Sequence, residues 1–279
     1  MYQSSNPIFA HDDKFQETYG ELTANVATIQ GVVNKTTILV LIAIVAGGLA
    51  YALIPASFAA VNISALAAMG ICFGVGMVLC RNPRAAVVMA PIYAVAEGIM
   101  LGLLTSALDA WLLRLESARA VQQGAAAGAA EAVSLAMPAF LITICVTLAM
   151  LGLYSARILR PTRKFQAVVM TLVGGVMLVY LSTWVLGIFG LSIPFLRLSS
   201  ATEGGAAPYI GLGISLLILG LASFVLIIDF GRAEAIVQQK MPRYMEWYAA
   251  FGLLVTLAWI YYEAVKLCFR LYLLFGGRD

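Results

Sequence analysis

Three carboxylates fall inside long apolar runs of this chain: Glu97, Asp229 and Glu263. A bilayer penalises charge, so an ionisable group within a spanning segment is a functional-site candidate by default. Burial disfavours the ionised form of a carboxyl, a nearby cation favours it, and two close carboxyls titrate as a pair. A buried acidic pair is therefore inert when protonated and cation-binding when ionised. Calcium suits such oxygens, because it accepts several of them in flexible geometry. Asp229, Glu263 and Glu97 are the candidates to meet such an ion. Arg81 and Arg84 are the basic residues placed to latch one of the acids, or simply to anchor a helix end.

Depth along the helices separates these residues into two levels. With Pro242 as the turn between the last two runs, Asp229 lies 13 residues before it and Glu263 21 after it. The difference is about 12 Å at 1.5 Å per residue. Glu97 lies 13 residues after Arg84 and Glu263 16 after Trp247, which puts those two within about 5 Å of each other in depth. The expectation is a shallow gate, Asp229 with Arg81 or Arg84, and a deeper acidic site, Glu97 with Glu263. The plainer alternative for Glu97 is close helix packing beside Gly98 and Gly102. For Asp229 it is an interfacial helix end, and for Glu263 a hydrogen bond to a neighbouring helix.

The elements that must position these residues follow from composition. The chain is 62% hydrophobic and 11% charged, against about 45–50% and about 25% in soluble domains. About 20 apolar residues cross a bilayer as a helix. Seven runs qualify, at 36–53, 61–79, 87–108, 133–153, 165–189, 211–230 and 248–269. The fold class is an all-α membrane protein of seven transmembrane helices: a polar tail over 1–35, then a transmembrane domain over 36–279. Between the third and fourth runs, 109–132 is rich in Ala and Gly and reads as a short surface helix or a disordered stretch. Residues 232–247 read as the link between the last two runs, broken at Pro242. Gly70 and Gly74 form a GxxxG, the spacing that lets helices approach closely.

Lys and Arg in the loops set orientation. The side holding the N-terminus collects eleven and the opposite side six, including Lys266 and Arg270. The N-terminus is thus expected in the cytoplasm and the C-terminus outside. No apolar signal segment precedes residue 36. Cys72, Cys80, Cys145 and Cys268 lack metal-ligand spacing and read as small buried hydrophobes. His11 stands alone in the tail. The net charge of +3 gives no argument for nucleic acid.

Several stretches resemble the Bax inhibitor-1 family, in its bacterial branch. They are Ala96-Glu97-Gly98-Ile99-Met100-Leu101-Gly102, Asp229-Phe230, Glu246-Trp247-Tyr248-Ala249-Ala250-Phe251-Gly252-Leu253 and Trp259-Ile260-Tyr261-Tyr262-Glu263, with Ser5-Asn6-Pro7-Ile8-Phe9 at the start. The resemblance implies a seven-helix fold with the last helix central, and a pH-sensitive calcium leak in a bacterial cytoplasmic membrane. It also implies an acidic pair on helices six and seven that senses pH, and an arginine near the start of helix three that latches the helix-six acid. Those positions match Asp229, Glu263 and Arg81. The helix-seven acid is Glu where the family carries Asp, and the link between helices six and seven is longer than in small members.

Two functions follow. One is a passive, pH-gated cation leak, calcium foremost, with the lipid bilayer as its medium and no cofactor. The other is a regulator without transport, binding a membrane protease or another membrane-protein partner through residues 1–35. An intramembrane enzyme finds little support: an aspartyl dyad would be required, and no HExxH, no intramembrane His and no Ser/His/Asp set is present. A proton-coupled transporter lacks the inverted repeat and broken helix pair of such folds.

Overall fold

A computed structural model of the protein describes residues 26–54, 58–122, 134–190, 198 and 205–276. Within them are seven α-helices: α1 Ile29–Leu53, α2 Phe58–Arg81, α3 Ala86–Gln122, α4 Ala136–Ser155, α5 Arg163–Ile188, α6 Ala207–Gln238 and α7 Met245–Phe275. A single 3₁₀ turn, Pro83–Ala85, links α2 to α3. Apolar chains in lipid satisfy their backbone groups within the helix itself, and among the described residues β pairing is confined to one isolated bridge, Val26 with Pro242. Six of the helices are long and apolar enough to cross a membrane, whereas the described apolar stretch of α2, Leu66–Arg81, is shorter. Residues 1–25, with His11, and residues 123–133, with Glu131, lie outside the described residues.

The helices overrun the apolar runs that announce them. Thr28 caps α1, accepting from the Gly31 backbone N–H at 2.9 Å, so the helix starts seven residues before the apolar run at Thr36. The stretch after Asp109 continues α3 unbroken to Gln122. Its Ala, Leu, Arg and Glu are good helix formers, and their propensity decides the stretch. At 37 residues the helix is about 55 Å long and exceeds the ~30 Å hydrocarbon layer. Arg232–Gln238, expected as linker, is the last two turns of α6. Lys240, left-handed at φ 51°, ends that helix. The Met241 N–H then returns to the Ile236 carbonyl at 3.1 Å, a helix-closing pattern normally served by Gly.

About half of the apolar stretches of α3, α6 and α7 is buried, against 6% in α4 and in α5. α7 packs against α6, α1, α4 and α3. Its residues enter three apolar clusters: Ala250 and Leu254 with α1, α2 and α3; Leu253, Ile260 and Leu267 with α6; Ala264, Cys268 and Phe269 with α3 and α4. The large side chains left uncovered, such as Leu41, Phe73, Leu148 and Leu178, form a surface suited to lipid. Cys80 and Cys145 belong to that exposed surface rather than to the interior, while Cys268 is buried.

Close approach of α1 to α3 depends on glycine. A Cβ at Gly47 would stand 2.8 Å from the Gly98 carbonyl oxygen, and Cβ atoms at Gly98 and Gly102 would meet the backbones of Ala43 and Gly47. Gly98 and Gly102 are therefore the working GxxxG pair. Gly70 and Gly74, the pair singled out in the sequence, face open space.

Candidate functional site

All three carboxylates turn inward: Glu97 is 7% exposed, Asp229 8% and Glu263 0%. Glu97 and Glu263 line the same cleft, of about 270 Å³, between α3, α5 and α7. Met177 and Tyr180 of α5 close one wall, and Trp259 and Tyr262 of α7 another. These are the two residues expected to lie at similar depth, and both line this cleft.

The two acids have different company. Glu97 accepts from the Cys72 thiol at 3.3 Å, with Tyr93 beside it one turn back. Both are weak, neutral partners. Glu263 faces a charge. Lys266 Nζ lies 2.9 Å from Oε1 and 2.8 Å from Oε2, and only the first contact is aligned as a hydrogen bond. Tyr180 Oη and Trp259 Nε1 donate to Oε1 at 3.4 Å. Lys266 also donates to Tyr180 Oη at 2.8 Å and lies over the rings of Tyr262, at 4.5 Å, and Tyr180, at 5.2 Å. Lys266 thus sits between two aromatic faces and a buried carboxylate, groups that each attract a cation.

Asp229 stands apart. Thr256 Oγ1 of α7 donates to its Oδ2, and Arg232 of α6 lies 3.6 Å from Oδ1 with its own side chain 62% exposed. Glu263 follows Thr256 by seven residues, two turns or about 10 Å along α7, so Asp229 and Glu263 meet α7 at different levels. Among the described residues the cation within 4 Å of Asp229 is Arg232. Arg84 instead stacks on the Tyr244 ring at 5.8 Å, and Arg81 ends α2. Among the described residues no group of three or more His, Cys, Asp or Glu side chains converges as a metal cage.

The profile of the Bax inhibitor 1 like family matches residues 6–272, nearly the whole chain. The chain belongs to the Bax inhibitor 1 like family. No curated protein and no solved structure matches it.

Two buried carboxylates of this family member escaped the sequence. Asp109 accepts from the Leu135 backbone N–H and from Tyr51 Oη, both at 2.9 Å. It thereby caps α4, whose own Ncap residue, Leu135, makes no side-chain cap bond. The signal was the helix-forming composition after Asp109, which keeps the residue inside α3. Glu246, 1% exposed, accepts from the Thr28 backbone N–H at 2.8 Å and pairs with Lys35. Its burial depends on a contact between chain ends that no local pattern announces. Of Lys266 and Arg270, counted as outer-side charges, Arg270 is buried and Lys266 half-buried; spacing of three from Glu263 was the available hint for Lys266.

Proposed function

We propose that this member of the Bax inhibitor 1 like family is a passive, pH-sensitive cation leak, calcium foremost, with Glu97 and Glu263 as its ion-handling site. The observation that carries the reading is the single cleft shared by these two buried carboxylates. Calcium is cargo in this reading and not a resident ion. Buried carboxylates with no net attraction for a cation would be an unrewarded cost in a membrane.

Lys266 occupies the place a passing cation would take, so the ammonium must yield before Glu263 can bind one. A protonated carboxyl holds neither lysine nor calcium. The leak is therefore expected to rise as pH rises and the acids ionise. Asp229 with Arg232 forms the shallow gate in this reading, in the role first expected of Arg81 or Arg84. All seven helices cross the membrane, with α7 at the centre. Lys266 and Arg270 lie on α7 itself, half-buried and buried, and leaving them out of the loop charges gives four on the outer side against eleven. The N-terminus is then cytoplasmic and the C-terminus outside, in a bacterial cytoplasmic membrane.

The test is calcium entry into liposomes across a pH series, for wild type and Glu263→Gln. A leak that grows with pH in wild type, and is lost or pH-blind in the variant, is the expected result. No flux above empty liposomes at any pH would sink the leak reading and favour a partner-binding role for residues 1–35.

A further inference from the structure

The turn from α4 into α5 carries Arg157, Arg160, Arg163 and Lys164 within eight residues, with no acid between them. All four are exposed, and among the described residues none takes part in an ion pair. Glu234 of α6, which reaches the end of α4 by accepting from Tyr154 Oη, is also engaged by Gln238 Nε2. The turn keeps its shape without its charges. Pro161 rests on α6 at Gly231, where a Cβ would collide with its ring. Thr162 Oγ1 caps α5 by accepting from the Phe165 N–H at 3.2 Å, and Gln166 Nε2 donates to the Pro161 carbonyl at 2.9 Å. At the other end α4 closes at Arg157, left-handed at φ 60°, with the Ile158 N–H returning to the Leu153 carbonyl at 3.0 Å. Gly normally fills that position, so Arg157 holds a cation there against the preference of its backbone.

We propose that this turn is a docking surface for the headgroups of anionic phospholipids. α4 has 20 residues, about 30 Å or one hydrocarbon thickness, so a spanning α4 sets the turn at the membrane surface. Clusters of Lys and Arg at that level attract anionic headgroups, and a guanidinium meets phosphate oxygens with two parallel donors. The apolar surroundings favour a lipid over a soluble anion. Ile158, between Arg157 and Arg160, is 69% exposed. Leu151 of α4 and Val168 of α5, each within two helical turns of the loop, are exposed as well, and acyl chains would lie along them. The surface does not require the leak.

The experiment is native mass spectrometry of the full-length protein released from dodecyl maltoside, with phosphatidylglycerol and phosphatidylcholine of identical chains titrated in separately. Wild type is expected to bind phosphatidylglycerol more tightly than phosphatidylcholine, by about tenfold or more. The variant R160Q/R163Q/K164Q is expected to lose most of that preference. R81Q/R114Q/K240Q, which removes the same charge from three separate exposed positions, is expected to keep it. R157G suits the left-handed backbone, so it removes one cation without unfolding the turn, and is expected to weaken phosphatidylglycerol binding about fivefold. Equal binding of the two lipids to wild type, or an equal loss in R81Q/R114Q/K240Q, overturns the surface. So does a preference kept by R160Q/R163Q/K164Q or, should that variant not fold, kept in full by R157G. Displacement of bound phosphatidylglycerol by glycerol phosphate at equal concentration would assign the cations to a soluble anion and overturn the lipid.

Discussion

At Glu263 a fully buried carboxylate pairs with a half-buried ammonium, and removing one partner of such a pair leaves an uncompensated charge in a medium that disfavours it. Lys266→Met is expected to destabilise the fold by about 3–5 kcal/mol, and the double variant with Glu263→Gln by clearly less. Detergent-unfolding midpoints of the two variants check this; equal losses would show that the pair is not coupled. Asp109 makes a contrast. Asp109→Ala strands the Leu135 N–H, at a cost of about 1–3 kcal/mol, yet is expected to leave calcium flux per folded molecule at the wild-type level. A flux lost along with Asp109 would move it from structural cap to ion path. Glu97, Asp229 and Glu263 were legible because a carboxylate stands out in an apolar run. Asp109 and Glu246 were not, since each looked like the polar edge of a loop until the helix was known to continue through it or begin before it.

The helices α1 and α3 touch where their glycines leave no side chain, and the sequence offers several glycine pairs without saying which one faces a partner. Spacing alone pointed to Gly70 and Gly74, but a GxxxG reports a groove, and only the neighbour decides whether the groove is used. Gly98→Ala and Gly102→Ala are each expected to cost about 1–3 kcal/mol as the backbones are pushed apart. Because Gly98 adjoins Glu97, its substitution is also expected to shift the cleft and lower calcium flux. Gly70→Ala and Gly74→Ala should change the melting temperature little, since a Cβ there meets nothing within 4 Å. Melting curves of the four variants in one detergent separate the two pairs. The all-helical, membrane-type character of the chain was readable from apolar runs, but the helix ends were not, because turns such as those of Arg232–Gln238 leave the apolar run while remaining helical.

Across the whole molecule, the start of α1 is tied to the start of α7. The Ala27 N–H donates to the Met241 carbonyl at 2.8 Å, and Thr28 and Lys35 converge on Glu246. Glu246→Ala is expected to raise hydrogen exchange over residues 26–35 by at least tenfold while leaving the core of α6 unchanged. Unaltered exchange there would mean that the contact carries no weight. For orientation, a membrane-impermeant thiol reagent should label Asp279→Cys and spare Lys14→Cys in intact cells, in a background without native cysteines; the reverse pattern would invert the proposed topology. The tie between chain ends also bears on biosynthesis. Thr28 and Glu246 are 218 residues apart, so the first helix enters the membrane long before its closing partner is translated. Until α7 arrives, the inner faces of α1, α3, α4 and α6 lack their common neighbour and Lys35 lacks its counter-charge. A ribosome that stops short of α7 thus releases a product with its polar and small-residue faces open to lipid, and such fragments are expected to be cleared by membrane proteases and not to accumulate.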